Sequence, residues 1–318
     1  MKFGHIASYV RETPWAITHE KLGDILDVLV ARLDGQRMTE AEIQLRVGEV
    51  MGRNQAKVEA AAETTRSSGG AVGVIPIIGT IYHRRASMEE SSGGTSTPDV
   101  TAALRSLVAN QEVGTILLDI DSPGGTVTGV PELADAIFAA REQKRIVALC
   151  DALAASAGYW LAAQAHEIIC VPSGMVGSIG VFTAHEDLSK RAELLGVKVT
   201  LISAGKFKTE GNPFEPLSDE TKAMLQARVD DAYELFVKAV ARGRGVKASE
   251  VRNGFGEGRV LTTDDAKAAG MIDRIATRDD AIARVMGARR SAGGGARTRA
   301  EDEPASFDDD RARRLRLL

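Results

Sequence analysis

Short apolar runs, bounded by charged residues or glycine, recur along the middle of the chain. Runs of this length and composition predict strands that are covered on both faces. They lie at 72–79, 115–121, 146–150 and 168–171. Helices are expected between and after them, at 98–110, 131–142 and from 156 onward. The alternation predicts an α/β fold in which parallel strands are joined by right-handed crossovers.

Two more elements are predicted in the second half of the chain. Apolar and polar residues alternate over 197–203, which predicts a strand followed by a loop. The sequence Ser218-Asp-Glu-Thr is a helix start, and the helix should run to about Arg242. Its apolar residues recur at helical spacing and therefore indicate a face packed on the core.

The two ends of the chain differ from this pattern. Residues 1–16 are expected to be an irregular arm, followed by helices that start near Thr18 and Thr39 and by a linker over 60–70. The last residues are rich in Gly, Arg, Asp and Glu and have few apolar groups to bury, so we expect disorder there. The predicted divisions are 1–70 for the arm, helical appendage and linker, 71–290 for the α/β domain, and 291–318 for the tail.

Composition excludes several classes of partner. The net charge of −4 has mixed signs, and only 4% of residues are aromatic, so we expect neither a nucleic-acid nor a membrane-surface footprint. No stretch is long and apolar enough for a membrane span, and the start lacks a signal pattern, which favours the cytoplasm. Cys150 and Cys170 each end an apolar run and are expected to be reduced core residues without metal-ligand spacing.

Ser156 is the candidate nucleophile. It follows a predicted strand, lies among alanines and glycine, and precedes a helix-compatible run. A serine there has the free N–H groups and positive dipole end of a helix beside its oxygen, which favour developing negative charge. The alternative from these residues alone is a small packing or N-cap serine.

Two further segments favour the catalytic interpretation. The sequence Ser122-Pro-Gly-Gly125 follows a buried strand and opens its backbone amides to a ligand. The amides of Gly125 and Ala157 would form an oxyanion hole if the two turns converge. Downstream, a loop carries Lys206 and Lys208. A lysine serves as a general base where burial populates its neutral amine, although a loop lysine is ordinarily a solvated charge.

These motifs resemble the signal-peptide-peptidase-A family of serine peptidases, and within it the phage capsid-maturation branch. The motifs are SPGG, ALAASAGYWLA, VPSGMVGSIGV and ISAGKFKTEGNPFEPLSDE, which occur in family order over about 72–275. The resemblance implies a Clp/crotonase-like ββα superhelix. It implies Ser156 as the nucleophile, Gly125 and Ala157 as the oxyanion hole, and Lys208 as the base, because the family's base directly precedes a position matched by Thr209.

The resemblance also implies the function. We expect a Ser-Lys endopeptidase that processes scaffold, portal or capsid proteins in the host cytoplasm or procapsid. It should need no cofactor or metal, and it should form a homo-oligomer in which the Ser and Lys can come from different subunits. The alternatives are His185 as the base, a host-type signal-peptide-peptidase-like protease, and a non-catalytic capsid-assembly component. A crotonase would use acyl-CoA and no serine nucleophile.

Overall fold

The computed structural model describes residues 14–23, 71–83 and 94–287. The strands in chain order are β1 (Trp15–Ile17), β2 (Ala71–Ile78), β3 (Thr80–Tyr82), β4 (Gly94–Ser96), β5 (Val113–Ser122), β6 (Gly124–Thr126), β7 (Arg145–Ala155), β8 (Glu167–Cys170), β9 (Met175–Gly177), β10 (Val260–Thr262) and β11 (Arg274–Ile275). The helices are α1 (Thr97–Ala109), α2 (Val130–Ala140), α3 (Ala157–Ala162), α4 (Ser189–Leu194), α5 (Asp219–Arg244), α6 (Ala248–Gly254), α7 (Thr263–Ala268) and α8 (Arg278–Val285).

The larger sheet is built around β7. Its strand order is β10-β9-β7-β5-β2, with β8 and β11 attached through β7. Residues 147–150 of β7 pair with β8, and residues 153–155 pair with β9, both in parallel. Because β2, β5 and β7 are parallel and joined through helices, the α/β prediction is confirmed. Pro76 lies on the edge strand β2, where a residue without a backbone N–H is tolerated.

A second, smaller sheet has the order β1-β6-β3-β4. Its first strand corrects the expectation that residues 1–16 are irregular, because Trp15–Ile17 pairs antiparallel with Gly124–Thr126. The three residues of β1 are fully buried. A helical turn follows directly at 19–23, as the start near Thr18 predicts. The helix from Thr39, the linker and the C-terminal tail lie outside the described residues.

Helices pack on the larger sheet and bury its apolar faces. The long helix α5 begins after Ser218, whose side chain accepts a hydrogen bond from the Thr221 N–H, as the sequence predicts. One face of its C-terminal half is buried, and Phe236 on that face stacks on Trp160 of α3 with ring centroids 4.3 Å apart. This contact places α3, and therefore its N-terminus, firmly against the core. In the described part of the chain, no helix is both long and apolar enough to cross a membrane.

The predicted strand over 197–203 is wrong. The structure has no strand there, and a strand needs a neighbour to pair its N–H and C=O groups. Several apolar side chains between residues 194 and 214 are exposed instead, with Leu194 at 89% and Ile202 at 96%. We refer to these residues as the exposed apolar segment: Leu194, Leu195, Val197, Val199, Leu201, Ile202, Phe207 and Phe214.

Candidate active site

Ser156 lies at the junction of β7 and α3, as predicted, and its backbone is strained. It is the N-cap residue of α3 with φ 54° and ψ −118°, a conformation that L side chains rarely adopt. Its N–H donates to the Gly177 carbonyl of β9 at 2.7 Å. A sharp strand-to-helix turn with positive φ is the geometry that presents a nucleophilic serine in hydrolases. The pairing of residues 153–155 of β7 with β9 holds the turn in place.

The turn after Ser122 meets Ser156. A Cβ added to Gly124, whose φ is +106°, would lie 2.9 Å from the Ser156 Cβ and 2.2 Å from the Ala16 carbonyl oxygen. Only a glycine allows these backbones to approach so closely. The two turns predicted to converge do converge, with Gly124 directly beside the serine.

Ser122 holds this turn, a role that sequence reasoning missed. Its Oγ donates to the Gly79 carbonyl at 2.6 Å and accepts from the Gly124 N–H at 3.1 Å. The side chain is fully buried and packs beside Gly158 of α3. A serine immediately before Pro-Gly-Gly was the available signal, because serine hydroxyls commonly bond backbone groups within turns.

The two predicted oxyanion donors have different surroundings. Ala157 is the first residue of α3, so its N–H has no acceptor within the helix and lies at the positive end of the helix dipole. Gly125 is paired with Ala16 in the β1–β6 ladder. The flanking bonds, Thr18 N–H to Pro123 and Val127 N–H to Pro14, fix the alternation of that ladder. They make Ala16 and Gly125 a hydrogen-bonded pair, in which the Gly125 N–H donates to the Ala16 carbonyl.

Strand β1 covers the serine. On the side away from β6, Trp15 and Phe182 exchange two backbone hydrogen bonds of 2.9 and 3.1 Å. The strand is therefore held between β6 and the segment that follows β9. Ser156 is 0% exposed, and its Oγ has no hydrogen-bond partner among the described residues.

Lys208 and His185, the two candidate bases, line the same cavity, and Ser156 is not among its lining residues. Both line an open cavity of about 540 Å³ with Thr209 and Asn212. His185 Nε2 is 3.2 Å from the Asn212 carbonyl oxygen, and Lys208 is exposed. Neither side chain hydrogen-bonds the Ser156 Oγ. Within one chain, Ser156 therefore lies beside the turn at 122–125 and makes no hydrogen bond to either candidate base.

His166, shortly after the helix that Ser156 begins, hydrogen-bonds a backbone group of β7. Its Nδ1 accepts from the Ile146 N–H at 3.1 Å, and burial lowers its pKa.

Cys150 and Cys170 are buried free thiols, as expected. Hydrogen bonding with Cys170 and burial raise the pKa of the Cys150 thiol. Neither cysteine has the exposed thiolate that a nucleophile requires.

An ion-pair cluster behind β7 was not singled out from the sequence. Arg278 of α8 donates to both carboxylate oxygens of Asp119 at 2.9 and 2.7 Å and to Asp151 at 2.5 Å. The hydrogen bonds to Asp119 raise the pKa of the Arg278 guanidinium further. The cluster ties α8 to β5 and β7, the strand that leads to Ser156. Across the described ranges, no group of three or more His, Cys, Asp and Glu side chains could hold a metal ion.

Two family models of peptidases match this chain. The model of peptidase family S49 matches residues 139–291, and the Clp protease model matches residues 74–177. The head-tail preconnector protein GP5 of Enterobacteria phage P21 is 35% identical over 211 residues, which are 66% of this chain and 42% of that protein. The capsid assembly protease C of Escherichia phage lambda is 34% identical over 211 residues, 66% of this chain and 48% of that protein.

The chain thus spans less than half the length of either phage relative. A putative protease of Synechocystis is 31% identical over 204 residues, which cover 64% of this chain and 73% of that protein. These matches confirm the resemblance carried by the four sequence motifs. The chain belongs to peptidase family S49.

Proposed function

We propose that this chain is a serine endopeptidase whose nucleophile is Ser156. The observation that carries the proposal is the strained serine at the start of α3, next to the turn that ends in Gly125. A strained backbone persists only where the surrounding structure over-determines it, and it concentrates at functional sites. A protein that worked only by binding would need neither the strain nor the glycine turn beside it.

The mechanism follows from the groups around Ser156. Its Oγ attacks a peptide carbonyl and gives its proton to the neutral amine of Lys208. The N–H groups of Ala157 and Gly125 donate to the oxyanion. The protonated lysine then protonates the leaving amine, and water releases the acyl group by the same route in reverse.

We propose that Lys208 reaches Ser156 of a neighbouring copy. Within one chain Lys208 is exposed, and the exposed apolar segment surrounds it in sequence. Exposed apolar groups so numerous mark an interaction surface. Burial of this segment between copies would cover the apolar side chains, remove water from Lys208, and pair residues 197–203 with a strand partner. The active form is therefore a homo-oligomer.

The proposed substrates are phage head proteins: scaffold, portal or capsid subunits processed in the host cytoplasm or procapsid. Support comes from the two phage relatives, which are named a capsid assembly protease and a head-tail preconnector. The second candidate is a host-type protease, favoured by the Synechocystis relative. Co-expression with candidate head proteins distinguishes the two, because only the first predicts their cleavage.

The direct test measures hydrolysis of fluorescein-labelled casein by the full chain and by Ser156→Ala, Lys208→Ala and His185→Ala. We expect loss of activity in the first two variants and retention in the third. Lys206→Ala is the matched control, because Lys206 is exposed and pairs with Glu220 at 3.3 Å. Loss in His185→Ala with retention in Lys208→Ala would assign the base to histidine. Full activity in Ser156→Ala would overturn the proposal.

A further inference from the structure

The strand that covers Ser156 has the geometry of a bound peptide. Strand β1 is extended and antiparallel to both neighbours, with β6 on one side and Phe182 on the other. Main-chain pairing along a strand edge is a general way in which proteins bind extended peptides. Residues 15–17 thus occupy the position beside the nucleophile where a substrate peptide would be held.

The register singles out one peptide bond. A Cβ built on Gly124 would lie 2.9 Å from the Ser156 Cβ. The same Cβ would lie 2.2 Å from the Ala16 oxygen and 2.9 Å from the Ile17 Cα. That oxygen and Cα belong to the same peptide unit. The Ala16–Ile17 peptide bond therefore lies beside the serine.

The carbonyl of that bond also has the correct partner. Trp15 directs its N–H and C=O to Phe182, so the next residue, Ala16, directs its own groups to the opposite side. There the Ala16 oxygen accepts from Gly125, the proposed oxyanion donor. The Ala16 side chain is fully buried in the main core. A small residue fits this position, whereas the neighbouring residues of β1 are large.

We propose that Ala16–Ile17 is a self-cleavage site, cut by Ser156 of the same chain. This inference rests on the proposed function. The Ser156 Oγ bonds to the Ala16 carbonyl carbon, the bond from that carbon to the Ile17 nitrogen breaks, and the serine proton passes through Lys208 to the Ile17 amine. Water then hydrolyses the ester, leaving a carboxylate at Ala16 and a free serine.

Self-cleavage would link opening of the site to assembly. Before the cut, β1 covers Ser156 and shuts out other peptides. If Lys208 comes from a neighbouring copy, the cut waits until copies associate. After the cut, the Ala16 end has no covalent bond to Ile17 and is held by strand pairing and by its buried side chains, so it can leave. The groove between β6 and Phe182 is then free for another extended peptide.

The test is intact-mass analysis of the purified full chain with Ser156→Ala and Lys208→Ala, each also assayed on labelled casein. The expected result is a fragment ending at Ala16 and one beginning at Ile17 in the wild type, and an intact chain in both variants. A tagged Ser156→Ala chain mixed with the wild type tests cutting within one chain, and we expect it to stay intact.

The possible failures are distinguishable. Casein hydrolysis without a cut at Ala16–Ile17 overturns the self-cleavage site and leaves the proposed function in place. Absence of both activities in the wild type overturns both. A cut that persists in Ser156→Ala, or that appears in the tagged variant, overturns cleavage by the same chain's serine. The last outcome is that deletion of residues 1–17 raises casein activity while the full chain is not cut. In that case β1 inhibits the site and is not a substrate.

Discussion

Complementation between two inactive variants tests whether the dyad is completed between copies. Ser156→Ala keeps Lys208 on its exposed segment, and Lys208→Ala keeps the strained serine and the glycine turn. Alone, each variant should lose about 10⁴-fold or more of its casein activity, as nucleophile and base knockouts do elsewhere. In a mixed oligomer, a site that takes Ser156 from one copy and Lys208 from the next is intact.

The expected recovery follows from counting. In a closed ring with equal amounts of the two variants, each of the two required positions is correct half of the time, so about a quarter of the sites are complete. Co-expressed chains with different tags, purified through both tags in sequence, should therefore recover about a quarter of the wild-type activity. The same mixture should cut only the Lys208→Ala chain at Ala16–Ile17, since only that chain has a nucleophile beneath its own β1.

The control is Ser156→Ala mixed with a Ser156→Ala, Lys208→Ala double variant, a mixture in which no chain has Ser156 and which should stay inactive. Recovery near zero in a verified mixed oligomer would refute completion of the dyad between copies. Activity near the wild-type level for either variant alone would refute the Ser-Lys assignment itself.

Three further predictions concern the scaffold and are measured by urea unfolding. Arg278→Met should destabilise by about 2–3 kcal/mol, at the low side for a broken buried pair because Arg278 is 36% exposed while Asp119 is 7% exposed. Tyr159→Phe should cost about 1–2 kcal/mol, because the buried phenol donates to the Met271 carbonyl at 2.9 Å and its loss leaves that oxygen unpaired. Gly243→Ala should cost about 1–3 kcal/mol, because the added Cβ would lie 2.0 Å from a backbone oxygen that follows α3.

Each of these variants has a matched control in the chain. Arg274→Met removes an exposed arginine that pairs with Glu167 and should change stability by less than about 1 kcal/mol. Tyr233→Phe alters a half-buried ring without a buried hydrogen bond to the core and should be nearly neutral. Gly254→Ala places a Cβ in open space in a helix and should be neutral or slightly stabilising. A control that costs as much as its test variant would contradict the assigned contact.

The elements that the sequence predicts well are those whose burial is complete within one chain. The apolar run at 146–150 indicates strand β7, and the capping serine and helical spacing indicate α5. The sequence predicts a strand at 146–150 and a helix from 156, and the structure extends the strand to Ala155, so that Ser156 alone separates β7 from α3. The role of Gly125 could not be predicted from the local sequence in the same way, since it depends on a turn that meets the end of another strand.

Strand β1 and the segment 197–203 show where prediction from the sequence fails: the first strand is not predicted, and the second is predicted but is not formed. Three residues carry no usable periodicity, and the partner of β1 is more than a hundred residues away, so pairing with Gly124–Thr126 cannot be inferred locally. Residues 197–203 have the alternation of a strand but no partner strand among the residues that the structure describes. Alternation reports which side chains suit a half-buried surface, and it does not report where that surface comes from.

The conformation of Ser156 has a consequence for how this protein can change. A residue with a Cβ at φ 54° costs about 1–3 kcal/mol of folding free energy, and glycine at this position would relieve most of it. Ser156→Gly should therefore melt at a higher temperature than the wild type while having no nucleophile. Stability and chemistry make opposite demands on residue 156, so screening variants for thermal tolerance alone would select against the serine.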